Sequence, residues 1–235
     1  SYNKGEEVIK GISLKVNPGE TVAIVGATGA GKSTIINLLN RFYDIDSGHI
    51  LIDGHDIYDY ELHELRGQIA GVLQDVFLFS DSIFNNITLK DESITREMVE
   101  KVAREIGIHD FIMTLPGGYD YNVKERGVML SVGQRQLIAF LRASVTNPAI
   151  LVLDEATSSI DAHSEKLIQD ATEKITKNRT SIIIAHRLAT IQKADKIIVM
   201  EDGKIVEIGN HETLLQQNGY YSKLYNIQFV QKQAS

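Results

Sequence analysis

Gly26-Ala27-Thr28-Gly29-Ala30-Gly31-Lys32-Ser33, continued by Thr34, decides the fold. It fits the pattern G-x-x-x-x-G-K-[ST] and joins two segments of different character. Before it, residues 21–25 form a short, apolar, β-branched run, as a strand buried on both faces requires. After it, residues 33–39 read as a helix. The glycines let the backbone curl until its N–H groups face a polyphosphate, and the helix N-terminus adds partial positive charge at the same spot. Lys32 can reach β and γ phosphates, and the Ser33 hydroxyl can ligate Mg2+. The expected ligand is a nucleoside triphosphate held with Mg2+.

Outward from this loop the pattern alternates. Ile12, Leu14 and Val16 are separated by polar residues, which predicts a half-buried strand before the Asn17-Pro18-Gly19-Glu20 turn. Residues 49–52 predict another strand, ending at Asp53-Gly54, and residues 69–73 a further one. From about Gln74 to Asn147 no comparable apolar run occurs. Instead Met98, Val99, Val102 and Ile106 recur at helical spacing, as do Leu137, Ile138, Leu141 and Val145. This region predicts a mainly helical insertion. Beyond it, strands at 149–153 and 181–185 alternate with helices at 162–175 and from about Leu188. A hairpin follows, with strands at 197–200 and 204–208 across a turn containing Asp202-Gly203, and the tail from Asn210 reads as helical. The fold class expected is α/β, a mostly parallel sheet covered on both faces.

Composition bounds the partners. The 235 residues hold 24 Lys and Arg against 31 Asp and Glu, a net charge of −7, with no Cys and no Trp. This length allows one large domain or two small ones. The missing cysteines exclude disulfides, thiolate metal sites and cysteine nucleophiles. An acidic chain lacks the basic field of a general nucleic-acid binder, so no nucleic-acid partner is expected. No apolar run approaches the roughly 18–20 residues of a membrane span. The first seven residues are too polar for a signal peptide. The chain also starts without Met, which suggests a piece of a longer protein. His211-Glu212-Thr213-Leu214-Leu215 falls one His short of H-E-x-x-H, and no other His spacing suggests a transition metal.

Ile150-Leu151-Val152-Leu153-Asp154-Glu155 is an apolar strand ending in two acids. Ligands of open α/β sheets bind beyond the carboxyl ends of the strands, so these acids belong beside the glycine loop if the strands are neighbours. Asp154 suits the Mg2+ shell, through water, and Glu155 suits a general base for an attacking water. His186 ends the buried run Ile182-Ile183-Ile184-Ala185, where it could hydrogen-bond a γ-phosphate and orient the water. Gln74 follows the strand at 69–73, and its amide could reach Mg2+ or the water. Each of these residues alone is as readily explained as polar surface or structure; the glycine loop shifts the weight.

Leu130-Ser131-Val132-Gly133-Gln134 makes the reading specific. Together with Gly26 to Thr34, Gln74, Asp154, Glu155, Ser159-Ile160-Asp161 and His186, in this order along the chain, it resembles the ATP-binding cassette (ABC) family. The resemblance implies a P-loop NTPase (RecA-like) core at about 1–73 and 148–235. It also implies an N-terminal antiparallel β subdomain and a helical subdomain at about 74–147. It implies ATP hydrolysis with Mg2+ in a head-to-tail dimer, each ATP lying between the phosphate loop of one cassette and the Leu130 to Gln134 signature of the other. Tyr2 matches the residue that stacks on adenine, and Asp161 matches one that communicates across the dimer. Val132 stands where the family usually has Gly. A side chain there disfavours φ > 0, so a working site with altered affinity is expected.

Residues 75–87 and Val123-Lys124-Glu125-Arg126-Gly127 resemble exporter-type segments that face a membrane domain. The resemblance therefore implies an exporter ATPase at the cytoplasmic face of a membrane. Its implied partners are a second nucleotide-binding domain, identical or not, and a transmembrane domain docked at about Gln74 to Ile87. Phe77, Leu78, Phe79 and Phe84 could form that docking patch or fill the helical region's own core. The alternative class is an ATP-gated cassette that acts as a dimerisation switch without transport.

Overall fold

The computed structural model describes residues 7–155 and 162–227, the side chains of 162 and 163 excepted. Its centre is a six-stranded sheet in the order β4-β5-β6-β1-β7-β8. In chain order the strands are β1 (Thr21–Gly26), the short β2 (Leu51–Ile52) and β3 (His55–Asp56), β4 (Ile69–Val72), β5 (Ile150–Asp154), β6 (Thr180–Ile184), β7 (Lys196–Glu201) and β8 (Lys204–Gly209). Neighbours in the large sheet are parallel except β7 and β8, the hairpin that Asp202-Gly203 closes. The parallel strands are apolar along nearly their whole length because both faces are covered. Alternate residues of β1 show this: Ala23 and Val25 join the cluster built with the helices of one face, Val22 and Ile24 the cluster on the other.

The helices are α1 (Lys32–Leu39), α2 (Leu62–Gln68), α3 (Ile83–Thr88), α4 (Arg96–Ile106), α5 (His109–Met113), α6 (Val132–Val145), α7 (Ala162–Thr176), α8 (Leu188–Lys193), α9 (His211–Gln216) and α10 (Tyr220–Tyr225). Between β4 and β5 the described chain holds α3 to α6, short 3-10 turns and one isolated bridge, Ser82 to Asn122. The helical spacing at 95–106 becomes α4. Thr95 caps its start by accepting from Met98 N–H, and Gly107 ends it in the left-handed region. The periodic residues Leu137, Ile138, Leu141 and Val145 place α6 against α3, α4, α7 and β4 in one continuous cluster. No helix among the described residues is long and apolar enough to cross a membrane.

Two sequence expectations change. Ile12, Leu14 and Val16 are not in a strand; the chain from 12 to 17 is irregular. They pack as a row against the cluster of Val22, Ile24, Ile198 and Met200, so their alternation records one-sided burial without ladder pairing. The strand expected at 49–52 shrinks to Leu51–Ile52 paired with His55–Asp56. Among the described residues, this ribbon is the antiparallel structure ahead of β4.

Candidate functional site

β1 runs directly into the glycine loop, and α1 leaves it. Gly26 has φ +154°, and a Cβ there would stand 2.3 Å from Met200 O on the neighbouring strand, so no side chain fits. Gly31, the N-cap of α1, has φ 96°, a left-handed conformation that favours glycine. Between them Ala27, Thr28 and Gly29 are exposed, while Ala30, Gly31 and Lys32 are buried. The loop closes on itself through Ala30 N–H to Ala27 O, at 3.2 Å. Lys32 Nζ lies inside it, donating to Gly26 O at 2.8 Å and Ala27 O at 2.9 Å. Burial lowers the Lys32 pKa, and the nearby Asp154 opposes that shift.

The ends of β5, β6 and β1 converge here, with β6 between the other two. Asp154 closes β5, and its Oδ2 accepts from Ser33 Oγ at 3.2 Å. Burial raises its pKa, while the Ser33 hydrogen bond and Lys32 pull it down. Asp75, on the loop after β4, pushes it up again. A serine hydroxyl facing a carboxylate beside a phosphate-binding loop is a hard-oxygen donor set, and it fits Mg2+. His186 follows β6 by two residues. Burial, then the charge of Lys32, lowers its pKa, which keeps the imidazole neutral at pH 7. The structure thus brings Lys32, Ser33, Asp154 and His186 together.

Glu155 is buried and turned toward the start of α8. Its Oε2 accepts from the backbone N–H groups of His186 at 2.8 Å and Arg187 at 3.1 Å. Its Oε1 accepts from Thr190 Oγ1 at 2.5 Å. Burial raises the Glu155 pKa against these donors. Thr190 and Arg187 had no signal in the sequence. They meet Glu155 only because α8 begins just after β6, beside the end of β5.

The segment 130–134 opens α6 elsewhere. Ser131 is the N-cap and forms a capping box with Gln134: Gln134 N–H donates to Ser131 Oγ at 3.2 Å, and Ser131 N–H donates to Gln134 Oε1 at 3.0 Å. Leu130 and Gly133 are buried. Among the described residues, none of Leu130, Ser131, Val132, Gly133 or Gln134 hydrogen-bonds to the phosphate loop. Val132 is the first residue of the helix and has no positive φ. The conflict expected between its side chain and φ > 0 therefore does not arise.

The aromatic stretch after Gln74 divides. Leu78 is fully buried and Phe84 partly so, whereas Phe77 and Phe79 are each 53% exposed and meet edge to face at 5.1 Å. Buried Asn86 holds this loop: its side chain accepts from Phe79 N–H and donates to Phe79 O and Ser82 O. Arg142 on α6 donates to Asn86 O and Phe77 O. Gln74 lies on the exposed part of the same loop. Tyr2 and the segment 159–161, with Asp161, lie outside the described residues.

A parallel sheet whose central strand enters a glycine-rich loop, with a lysine in the loop and an acid on a nearby strand end, defines a P-loop nucleotide-binding α/β domain. The sequence profile of the ABC transporter family matches residues 9–158, and the chain belongs to that family, whose ATP-binding domains hydrolyse ATP to power transport. Among its relatives is the putative multidrug export ATP-binding/permease protein YgaD of Bacillus subtilis. That protein is 50% identical over 228 residues, which are 97% of this chain and 39% of that protein. A Staphylococcus aureus protein of the same description, SAB1799c, is 53% identical with the same coverage. The ATP-bound structure of a bacterial Atm1-family ABC exporter superposes with a TM-score of 0.89 at 43% identity, covering 97% of this chain and 40% of that one. The chain thus spans about two fifths of the length of the proteins it matches.

Proposed function

We propose that this chain is the ATP-hydrolysing engine of an exporter, working at the cytoplasmic face of a membrane in a head-to-tail pair with a second nucleotide-binding domain. The observation that carries the reading is the convergence of Lys32, Ser33, Asp154 and His186 at the ends of β1, β5 and β6. The similarity to putative multidrug export ATP-binding/permease proteins supports export over a switch without transport.

In this reading the N–H groups from Gly26 to Thr34 hold the polyphosphate, and the Lys32 ammonium turns from the loop carbonyls to the β and γ phosphates. Ser33 and Asp154 would hold Mg2+, and Gln74 would complete its surroundings. When bound, Mg2+ neutralises charge on the two terminal phosphates. Glu155 takes a proton from water as the water oxygen bonds to the γ-phosphorus. The bond to the β-phosphate oxygen breaks, and its electron pair leaves with ADP. The neutral His186 donates to a γ-phosphate oxygen and orients the water. Ser131 and Gly133 face the partner's ATP, Tyr2 stacks on adenine, and Asp161 links the two sites; for these the support is the family resemblance. The division into a core (about 1–73 and 148–235) and a helical subdomain (about 74–147) belongs to the same reading. So does docking of a transmembrane domain on the surface from Gln74 to Ile87, where Phe77 and Phe79 are exposed.

Turnover of Mg-ATP by the 235-residue chain and by Glu155→Gln, with light scattering of both, tests this. We expect wild-type hydrolysis, and a Glu155→Gln variant that binds ATP, loses turnover and accumulates as a dimer. A Glu155→Gln variant that stays monomeric with turnover intact would overturn the role given to Glu155.

A further inference from the structure

A cleft of about 300 Å3, sharing no residue with the phosphate loop, opens along α4 from Met98 to Ile106, against the last turns of α6 and α7. Its floor is apolar, from the buried Ile106, Val145 and Ile175, with Met98 at the rim. Among the described residues its walls carry Lys101, Lys174, Lys177 and Arg179, against a single carboxylate, Glu105. Four cations against one anion leave three excess positive charges in a chain whose net charge is −7.

Helix ends explain part of this. Three helix C-termini meet here, each equivalent to about half a negative charge, about −1.5 together. That is half of the excess positive charge. Glu105 is engaged with Lys101, at 4.0 Å. Arg179 donates to the neutral Asn147 Oδ1 at 2.8 Å, and Lys174 reaches from α7 until its Nζ stands 2.5 Å from where a Cβ on Gly107 would be. Among the described residues, Lys174, Lys177 and Arg179 have no carboxylate within ion-pair distance. Cations gathered around an apolar floor suit a ligand with both an anionic head and an apolar body. A volume at the lower end of the ligand-pocket range suits one short chain.

We propose that this cleft, between α4 and α7, is a binding site for a small anionic amphiphile, a monoalkyl phosphate or a compound like it. The site is separate from the phosphate loop and does not depend on the proposed transport role. Its occupant would touch both the helices inserted between β4 and β5 and the end of α7, bracing one against the other.

The four methionines supply the readout. Met98 lies at the cleft, whereas Met200 Cε lies 3.6 Å from where a Cβ on Gly31 would stand, in the phosphate-loop region. Methyl-labelled methionine NMR of the 235-residue chain, titrated with octyl phosphate below its micelle concentration, separates the two sites. We expect a saturable shift at Met98, with inorganic phosphate about tenfold weaker and octyl glucoside inert. Reversing two exposed charges together, Lys101→Glu with Lys177→Glu, should weaken octyl phosphate about tenfold or more, while replacing both by Arg should preserve it. A shift confined to Met200 would overturn the proposal. So would equal binding of octyl glucoside or of inorganic phosphate, or affinity unchanged in the charge-reversed variant.

Discussion

Ser33 Oγ and Asp154 Oδ2 stand 3.2 Å apart although 121 positions separate them in the chain and a whole strand, β6, lies between β1 and β5. The parallel sheet sets this distance. The β1–β6 and β5–β6 registers align Ile24 and Asp154 with the same residue, Ile184, so β5 ends level with Ile24, two residues before β1 passes into the glycine loop. The loop after β1 then carries Ser33 back across the end of β6. If this pair holds Mg2+, Ser33→Ala should raise the Mg2+ concentration needed for half-maximal turnover by about 10–100-fold. Asp154→Asn should do the same. A magnesium titration of ATPase activity checks both, and an unchanged midpoint in either variant would remove that residue from the metal site.

Glu155 gives a pH dependence with a definite sign. Burial raises its pKa above the ordinary 4.5. Its favourable contribution to stability is therefore present below that value and lost as pH rises through the higher, folded-state pKa. Glu155→Gln removes the titration while its amide oxygen can still accept from the N–H groups of His186 and Arg187. Urea unfolding from pH 4 to pH 8 should show wild-type stability falling relative to Glu155→Gln as pH increases. The acid limb of the turnover profile should also lie above the ordinary glutamate range, since only the carboxylate accepts a proton. Parallel stability curves for the two proteins would contradict the raised pKa.

Thr190 separates the role of Glu155 from that of its surroundings. Its hydroxyl donates to Glu155 Oε1 and is the strongest of the influences that lower the carboxyl pKa. Thr190→Val keeps the shape and deletes the donor. It should cost about 1.5–3 kcal/mol of stability, as expected for a lost hydrogen bond to a charged group. It should also move the acid limb of turnover further toward neutral pH. Thr190→Ser should restore both; a Thr190→Val profile that overlays wild type would show that the hydroxyl does not act on Glu155.

What the sequence revealed and what it concealed divide along physical lines. The phosphate loop was legible because its residues are contiguous and each has one steric or electrostatic reason to be there. The strand ends Asp154 and His186 were legible because unbroken apolar runs stop at them. The contacts of Glu155 were not, because they depend on its side-chain rotamer and on where α8 begins. Nor was the division among Phe77, Leu78, Phe79 and Phe84, which share one composition but differ in which way the loop turns them. At Ile12 to Val16 the alternation was real, yet it recorded packing on a cluster and no strand pairing.

Asn86 should decide whether the exposed aromatic pair is held in place. It is fully buried, and its three side-chain hydrogen bonds all go to the backbone of Phe79 and Ser82. Asn86→Ala leaves Phe79 N–H without its partner, while Phe79 O keeps Asp81 N–H and Ser82 O keeps the backbone N–H of residue 86, and it should cost about 1–3 kcal/mol. Limited proteolysis of Asn86→Ala should show cleavage near Phe77 and Phe79 sooner than in wild type. A variant with wild-type stability and an unchanged cleavage pattern would show that Arg142 alone fixes the loop.

Val132 tests whether glycine is needed in the signature. It occupies the first position of α6, its backbone has no positive φ, and its side chain is 36% exposed. Neither backbone strain nor lost packing therefore accompanies valine here. Val132→Gly adds freedom to the unfolded chain and should lower stability by about 0.5–1 kcal/mol, less if the end of the helix frays. The hydrogen bonds that shape this turn join Ser131 to Gln134 and survive the change. Turnover of Val132→Gly should then stay within about twofold of wild type, a difference below 0.5 kcal/mol in the barrier. A tenfold or greater gain would mean that the valine side chain obstructs the ATP held by the partner cassette, a steric effect between chains that the backbone of one chain does not record.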